Sequence, residues 1–121
     1  MILLGGLILA GGMLGVSLRG ALQLACNGSL PLGTWVANLL GCLIAGSVMA
    51  SLPSSVLKQA ILIGFCGALT TLSSVCLETV LLWEQERYTE GLCHFLGTGF
   101  FCLFICFLGF KHINILENIG N

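Results

Sequence analysis

A stretch rich in glycine, threonine and serine, GFCGALTTLSSVCLE at Gly64–Glu78, lies inside an apolar run from Val56 to Trp83. The only charged residues of that run are Lys58 and Glu78. A run of this length and composition belongs in a bilayer, where an unpaired backbone N–H or C=O group costs several kcal/mol. A backbone interruption at that depth is tolerated only where protein surrounds it or where it lines a wet cavity. The stretch therefore predicts an ion site or a pore element.

The composition indicates an integral membrane protein. Hydrophobic residues make up 57% of the chain and charged residues 7%, whereas a soluble domain carries about 25% charged residues. A soluble fold would therefore leave a large apolar surface facing water. The net charge of −1 provides no basic field, so we expect no nucleic-acid partner. We predict a single domain, residues 1–121, embedded in a lipid bilayer.

Four apolar segments predict an all-α fold with four membrane-spanning helices. Crossing the hydrocarbon core takes about 20 apolar residues. Three segments have about that length, and the third is longer, so we expect it to be broken near residues 67–71. The tight link Pro53–Ser54–Ser55 offers an N-cap for this third segment. The expected helices cover about residues 2–18, 33–52, 56–83 and 91–110.

The two ends of the first segment carry separate predictions. Met1 is followed at once by Ile2 and Leu3 with no positively charged region, so we expect the segment to be retained rather than cleaved as a signal peptide. Further along, Gly11 and Gly15 have GxxxG spacing, which favours close helix packing.

The chain also has seven cysteines but no CxxC pair, and we interpret most of them as small core residues rather than disulfide partners.

The basic residues give little bias for either orientation in the membrane. In a four-helix layout Arg19 and Arg87 lie on one side, and Lys58 and Lys111 lie on the other. Because the excess of Lys and Arg in loops sets orientation, a tally of two against two permits insertion both ways. A chain that inserts both ways can assemble as an antiparallel pair. The alternative is that so few residues carry no information about orientation.

Asn38 is the one strongly polar side chain of the second segment. It shares a helical face with Thr34, Gly41 and Ala45 through three- and four-residue spacing. Small residues let two helices approach closely, and an amide between them can form an interhelical hydrogen bond. Spacing alone favours this structural role for Asn38. An amide donor that faces a polar pathway is the alternative.

Polar residues also mark the third and fourth segments. Glu78 lies about two turns beyond Thr71 on one face, with Ser74 between them, and an acid within a span predicts a functional site. The same residue fits a position near the membrane interface. In the fourth segment, His94 and Thr98 belong to a mildly polar stripe. We interpret His94 as a packing or interface residue and Thr98 as a candidate lining residue.

Arg19, at the end of the first apolar segment, has two possible roles. It can reach the lipid headgroups with its long side chain. It can also set a positive potential at a vestibule that attracts anions.

These pieces together resemble the Fluc (CrcB) family of fluoride channels. The similar stretches are GGMLGVSLRG at Gly11–Gly20, LPLGTWVANLLGCLIAG at Leu30–Gly46 and GFCGALTTLSS at Gly64–Ser74. The resemblance covers most of the chain and is weakest in the fourth segment. The joint occurrence of GTxxxN, GFCG, TT and the trailing Glu78 makes it specific.

The resemblance implies an antiparallel, dual-topology dimer with two fluoride pathways and a central Na⁺. That ion would be held by backbone carbonyls of Gly67 and Thr70 from both subunits. Asn38 would correspond to the pore asparagine of the family, and Arg19 to the arginine that closes the first-helix motif. From the resemblance and from their own positions, the residues expected along the fluoride pathway are Asn38, Thr71, Ser73, Ser74, Thr98, Glu78 and Arg19.

One departure from the family pattern concerns two aromatic residues. The family usually has TTFSTF here, and this chain has Leu72 and Val75 where the two phenylalanines stand. Aromatic ring edges carry partial positive charge and can receive an anion, which leucine and valine cannot do. Either other groups substitute for the rings, or conduction is impaired, or a partner subunit supplies the rings.

The implied function is passive, fluoride-selective export of cytosolic fluoride across the cell (inner) membrane. One alternative is a non-conducting or partner-dependent subunit of a heterodimeric fluoride channel. A small multidrug transporter is the other alternative, but that class needs a carboxylate in its first helix and residues 1–18 contain none. An enzyme is not expected, since the sequence shows no nucleophile–base pair or metal cluster. No Walker A motif supports ATP-driven pumping.

Overall fold

The computed structural model describes residues 1–120, and these residues form an all-helical membrane protein. Four helical stretches are long and apolar enough to cross a bilayer. This confirms the predicted all-α, four-span architecture, although residue 121 of the predicted domain lies outside the described range. The four spans are Ile2–Cys26, Leu32–Ser51, Val56–Glu84 and Tyr88–Leu116.

The first helix, α1, runs over Ile2–Cys26 and contains Arg19 in its interior. The prediction that it ends near residue 18 was wrong, because apolar content marks the part that crosses the bilayer and not the helix end. The isolated Gly20 does not end the helix, and the backbone becomes extended only at Asn27. The Asn27 side chain then accepts a hydrogen bond from the Gly33 N–H at 2.7 Å and so caps the next helix.

The second helix, α2, covers Leu32–Ser51, close to the predicted 33–52. Its last carbonyls are satisfied from outside the helix. Lys58 Nζ donates to the carbonyl oxygens of Met49 at 2.9 Å and Leu52 at 2.8 Å. A cation at a helix C-terminus is favoured by the helix dipole and fills orphan acceptors, so this lysine stabilises the turn between α2 and the third span.

The third span consists of several short pieces. These are α3 (Val56–Gln59), a π-helix (Ala60–Cys66), α4 (Gly67–Leu69) and α5 (Leu72–Glu84). The predicted N-cap is confirmed, since Ser55 Oγ accepts from the Lys58 N–H at 3.2 Å. Between α4 and α5 the backbone is extended, with φ/ψ of −83°/150° at Thr70 and −153°/121° at Thr71. Helical hydrogen bonding therefore does not run unbroken through this span.

The last helix, α6, covers Tyr88–Gly120 and is 33 residues long. The predicted bounds, 91–110, were too short at both ends. Hydropathy falls at Lys111, but neither Lys111 nor His112 breaks a helix, so the backbone continues past the apolar part. A turn with Glu86 at φ 62° separates α5 from α6.

Glycines bring the helices into backbone contact. A Cβ built on Gly11 would lie 3.1 Å from the Ala60 carbonyl oxygen, and one on Gly64 would lie 2.6 Å from the Ile8 carbonyl oxygen. Gly15 is buried directly against the backbone of Phe65 and Leu69. This confirms the close packing predicted from the glycine spacing of α1. Elsewhere α2 packs along α6, the helix that presents His94 and Thr98.

We expect Gly15→Ala to lower the free energy of unfolding by about 1–3 kcal/mol, because the added methyl group meets backbone atoms that have no rotamer to escape into. Gly6→Ala on the same helix is the matched control, since nothing lies within 4 Å of its Cβ position. Equilibrium unfolding of the purified chain in mixed detergent and SDS micelles measures both. Equal stability of the two variants would show that α1 does not pack through Gly15.

Candidate functional site

The side chain of Asn38 holds the extended backbone of the third span. Its Oδ1 accepts from the Thr71 N–H at 2.7 Å, and its Nδ2 donates to the Thr71 carbonyl at 3.2 Å. Asn38 is only 4% exposed, and it reaches across from α2. In a continuous helix the Thr71 N–H would instead bond to the carbonyl of Gly67. The amide therefore replaces a lost helical hydrogen bond and satisfies the carbonyl beside it.

This contact is a structural hydrogen bond between helices, the role that the spacing of Asn38 favoured. It is also compatible with the alternative role as a donor facing a polar pathway, because the amide nitrogen carries two hydrogens and the bond to Thr71 uses one. Asn38 also lines a cleft with Thr70 and Thr71. Its second N–H is thus a donor at the edge of that cleft.

Thr71 caps the N-terminus of α5 with its hydroxyl group. The Thr71 Oγ1 accepts from the Ser74 N–H at 3.2 Å. The hydroxyls of Ser73 and Ser74 lie 3.0 and 3.3 Å from the same oxygen. Three hydroxyls therefore gather where the partial positive charge of the α5 helix dipole is located, an arrangement that favours a nearby anion.

The cleft beside Asn38 has a volume of about 490 Å³ and lies between the third span and α6. Leu72 lines it with a side chain that is 70% exposed, whereas Val75 is 1% exposed. From α6, Thr98 is buried and donates its hydroxyl hydrogen to the His94 carbonyl at 2.6 Å. The residues that line the cleft are Asn38, Thr70, Thr71, Leu72, Val75, Phe95, Leu96, Thr98, Gly99, Phe100 and Cys102.

Glu78 lies two turns further along α5 and is hydrogen-bonded to residues of two other spans and of the loop after α1. From α2, Thr34 donates its hydroxyl to Oε1 at 2.6 Å. Asn27, directly after α1, donates to the same oxygen at 3.3 Å. From α6, His94 Nε2 lies 3.1 Å from Oε2. Gln23 of α1 donates in turn to Thr34 Oγ1 at 2.9 Å, which leaves the threonine hydrogen for the carboxylate.

His94 is 4% exposed and bonded at both ring nitrogens. Trp35 Nε1 lies 2.8 Å from His94 Nδ1, and Glu78 is on the other side of the ring. The interpretation of His94 as a packing residue missed this pairing. Residues 35, 78 and 94 are far apart in sequence, so no local spacing pattern connects them. The polar stripe of α6 and the acid within the third span were the sequence signals that pointed to the site.

The structure brings some of the expected pathway residues together and leaves one apart. Asn38, Thr71 and Thr98 line one cleft, and Ser74 and Glu78 line a second cleft of about 450 Å³. Ser73 is exposed beside the Thr71 hydroxyl. Arg19 lines neither cleft and, within residues 1–120, makes no hydrogen bond or ion pair. Its assignment to the pathway therefore stays a prediction.

The carbonyls of Gly67 and Thr70 have the chemistry that a Na⁺ site requires. The Thr71 N–H that would occupy the Gly67 carbonyl is bonded to Asn38 instead. Thr70 bonds back to the Cys66 carbonyl through its N–H at 3.0 Å and its hydroxyl at 2.9 Å, and its own carbonyl follows extended geometry. Unwound backbone carbonyls of this kind are typical Na⁺ ligands in membrane proteins, so the residues fit the group.

The sequence profile described as CrcB-like protein, Camphor Resistance (CrcB), matches residues 6–110. The chain belongs to the CrcB family. Among curated relatives of this CrcB chain, the fluoride-specific ion channel FluC 1 of Staphylococcus aureus (strain bovine RF122 / ET3-1) is 36% identical over 110 residues, which are 86% of this chain and 91% of that protein. These relatives are ion channels and not enzymes.

Two further relatives of the CrcB chain are similar over most of their length. The fluoride-specific ion channel FluC of Haemophilus influenzae (strain PittGG) is 38% identical, covering 84% of this chain and 86% of that protein. The protein of the same name from Nitrosococcus oceani (strain ATCC 19707) is 35% identical, covering 88% and 90%. The family resemblance drawn from the motifs is therefore confirmed.

We expect Asn38→Leu to lower the free energy of unfolding of the CrcB chain by about 1–3 kcal/mol, because it leaves the buried Thr71 N–H and carbonyl without partners at similar side-chain volume. Ser73→Ala, which removes an exposed hydroxyl beside the same threonine, is expected to change it by less than about 0.5 kcal/mol. SDS titration of the purified variants measures both. Equal values would show that Asn38 does not hold the extended segment.

Proposed function

We propose that this CrcB chain forms a passive, fluoride-selective channel that lets cytosolic fluoride leave across the cell (inner) membrane and so relieves its toxicity. The observation that carries the proposal is the extended Thr70–Thr71 segment, held by Asn38 at the edge of a cleft that Thr98 also lines. The names of the relatives support fluoride as the permeating ion.

The chemistry of the cleft suits a small, strongly hydrated anion. Removing water from fluoride is costly unless other hydrogen-bond donors replace it. The second amide N–H of Asn38 supplies such a donor, and Thr70 and Thr71 add polar groups to a largely apolar wall. Hydrogen fluoride crosses membranes as a neutral acid and ionises in the cytosol, so a passive pore is sufficient for fluoride to leave.

The proposed assembly is an antiparallel, dual-topology dimer with a structural Na⁺ at its centre. Two chains would each contribute the carbonyls of Gly67 and Thr70. Asn38 takes the Thr71 N–H from the first, and Thr71 Oγ1 takes the Ser74 N–H from the second. A fixed cation there lowers the electrostatic cost of an anion in a medium of low dielectric. The even distribution of basic residues supports insertion in both orientations.

The missing phenylalanines give the second candidate function. Leu72 presents an exposed aliphatic side chain to the cleft where the family usually places an aromatic ring. Two rings of α6, Phe95 and Phe100, line the same cleft and can supply ring edges to an anion. If they do not, the chain acts as a non-conducting or partner-dependent subunit of a heterodimer. A multidrug-type transporter is not proposed, because the chain belongs to another family.

We expect the purified chain in liposomes to release fluoride, and not chloride, when valinomycin permits charge balance by K⁺. A fluoride electrode and a chloride electrode measure the two rates. Asn38→Asp is expected to reduce fluoride release at least about fivefold, because it places a negative charge beside an anion path at about 4 Å.

Other results of this liposome experiment would indicate a different role for the chain or for Asn38. No release from the chain alone, with release restored by a second CrcB chain, would favour the partner-dependent subunit. No release under either condition, or equal release of chloride, would contradict the proposed function. Normal release by Asn38→Asp would restrict Asn38 to a structural role.

We also expect the dimer to depend on Na⁺. Replacing Na⁺ with N-methylglucamine during purification should convert dimers to monomers, which light scattering in detergent detects. Replacement by K⁺, which is larger, is the matched comparison and should restore dimers less well. Dimers that persist without Na⁺ would contradict a structural role for the Gly67 and Thr70 carbonyls.

A further inference from the structure

Glu78, His94 and Trp35 form a chain of hydrogen bonds across three helices. Trp35 donates from α2 to His94 on α6, and His94 faces Glu78 on α5. Gly97 makes room for the indole ring, since a Cβ there would lie 3.0 Å from Trp35 Cζ2. A buried histidine is thus held from both sides by groups on two other helices.

The hydrogen bonds assign the tautomer of His94. An indole N–H can only donate, so His94 Nδ1 must carry a lone pair and no proton. A neutral imidazole has one protonated nitrogen, which places the proton on Nε2. Nε2–H then donates to Glu78 Oε2. His94 cannot take a second proton at Nδ1 unless the bond to Trp35 breaks.

The same reasoning gives the state of Glu78. Its two oxygens accept from Thr34, Asn27 and His94, and all three donors are uncharged. An acceptor-only carboxyl group is an ionised one, so Glu78 carries a negative charge. Within residues 1–120 no cationic group other than a protonated His94 would pair with it.

The other ionisable groups near His94 do not alter this balance. α2 presents Trp35 and Thr34, which do not titrate in this range, and α5 presents Glu78. On α6 itself Glu90 lies one turn away and is paired with Arg87, and Cys93 is adjacent. Glu78 is therefore the one acid bonded to His94.

We propose that Trp35 and His94 are positioning residues that fix Glu78 as an uncompensated negative charge beside the anion path, and that protonation of His94 relieves this charge and raises anion flux. The proposal rests on the proposed function as a fluoride channel. Glu78 shares a cleft with Ser74, one turn from the Thr71 hydroxyl, so its charge lies on the line of polar groups that leads from the extended segment. A negative charge there repels an entering anion.

The pH dependence of flux tests the proposal. Proteoliposomes of the full chain should release fluoride at least about fivefold faster as the pH falls from about 8 to about 5, the range in which histidine gains charge. His94→Gln keeps a donor for Glu78 and an acceptor for Trp35 but cannot titrate, so its flux should not change with pH. Glu78→Gln should give high flux at every pH.

Trp35→Phe separates positioning from simple packing. It keeps an aromatic ring but removes the donor to Nδ1, so His94 should take its proton more easily and the pH profile should shift to higher pH. A packing defect would instead lower flux equally at every pH. The matched control is His112→Gln, which replaces the second histidine of the chain, an exposed one. This variant should keep the wild-type dependence of flux on pH. An unchanged pH profile in His94→Gln would overturn the proposal.

A second measurement does not depend on ion flux. In the His112→Gln background His94 is the only histidine, and its ¹⁵N NMR spectrum in detergent reports the tautomer directly. We expect an unprotonated Nδ1 at neutral pH in the presence of Trp35. A protonated Nδ1 would refute the assignment even if the chain conducts. If the spectrum is as expected but the protein does not conduct fluoride, the proposed function fails and the hydrogen bonds from Trp35 through His94 to Glu78 stand. The proposed effect of His94 on anion flux would then fail together with the function.

Discussion

Every backbone N–H and C=O group inside a bilayer needs a partner within the protein, and the contact between Asn38 and Thr71 meets that need where the third span leaves helical geometry. One amide side chain satisfies both polar groups of one residue. The contact permits α5 to begin with a new N-cap, and it withdraws the Thr71 N–H from the Gly67 carbonyl. The cleft, the cluster of hydroxyls and the candidate cation ligands all follow from it.

The second organising contact is at Glu78, two turns along α5. Because its carboxyl group is bonded to residues on the α1–α2 loop, α2 and α6, it joins three spans and that loop at one point. In the proposed channel, the charge of Glu78 is stabilised by hydrogen bonds and not by a counter-ion, so its electrostatic field extends into the neighbouring cleft. The proposal thus couples stability and anion flux through one side chain.

Sequence reasoning recovered the features that depend on local chemistry. Apolar length located the four spans, spacing indicated that Asn38 bridges two helices, and the Pro53–Ser54–Ser55 link supplies the N-cap of α3 through Ser55. The predicted ends of α1 and α6 were wrong, since hydropathy marks the part of a helix that crosses the bilayer and the helical backbone continues past Arg19 and Lys111. The link from Trp35 through His94 to Glu78 was missed because it depends on how three helices pack, which no short-range pattern encodes.

The length of α6 has a consequence for work with this chain. A helix of 33 residues is about 50 Å long, whereas the hydrocarbon layer is about 30 Å thick. The excess beyond Phe110 forms a stiff rod in water or among the headgroups. In an antiparallel pair one such rod would stand on each face of the membrane, so a fluorophore attached there, read with a membrane-impermeant quencher, would count how many chains point each way.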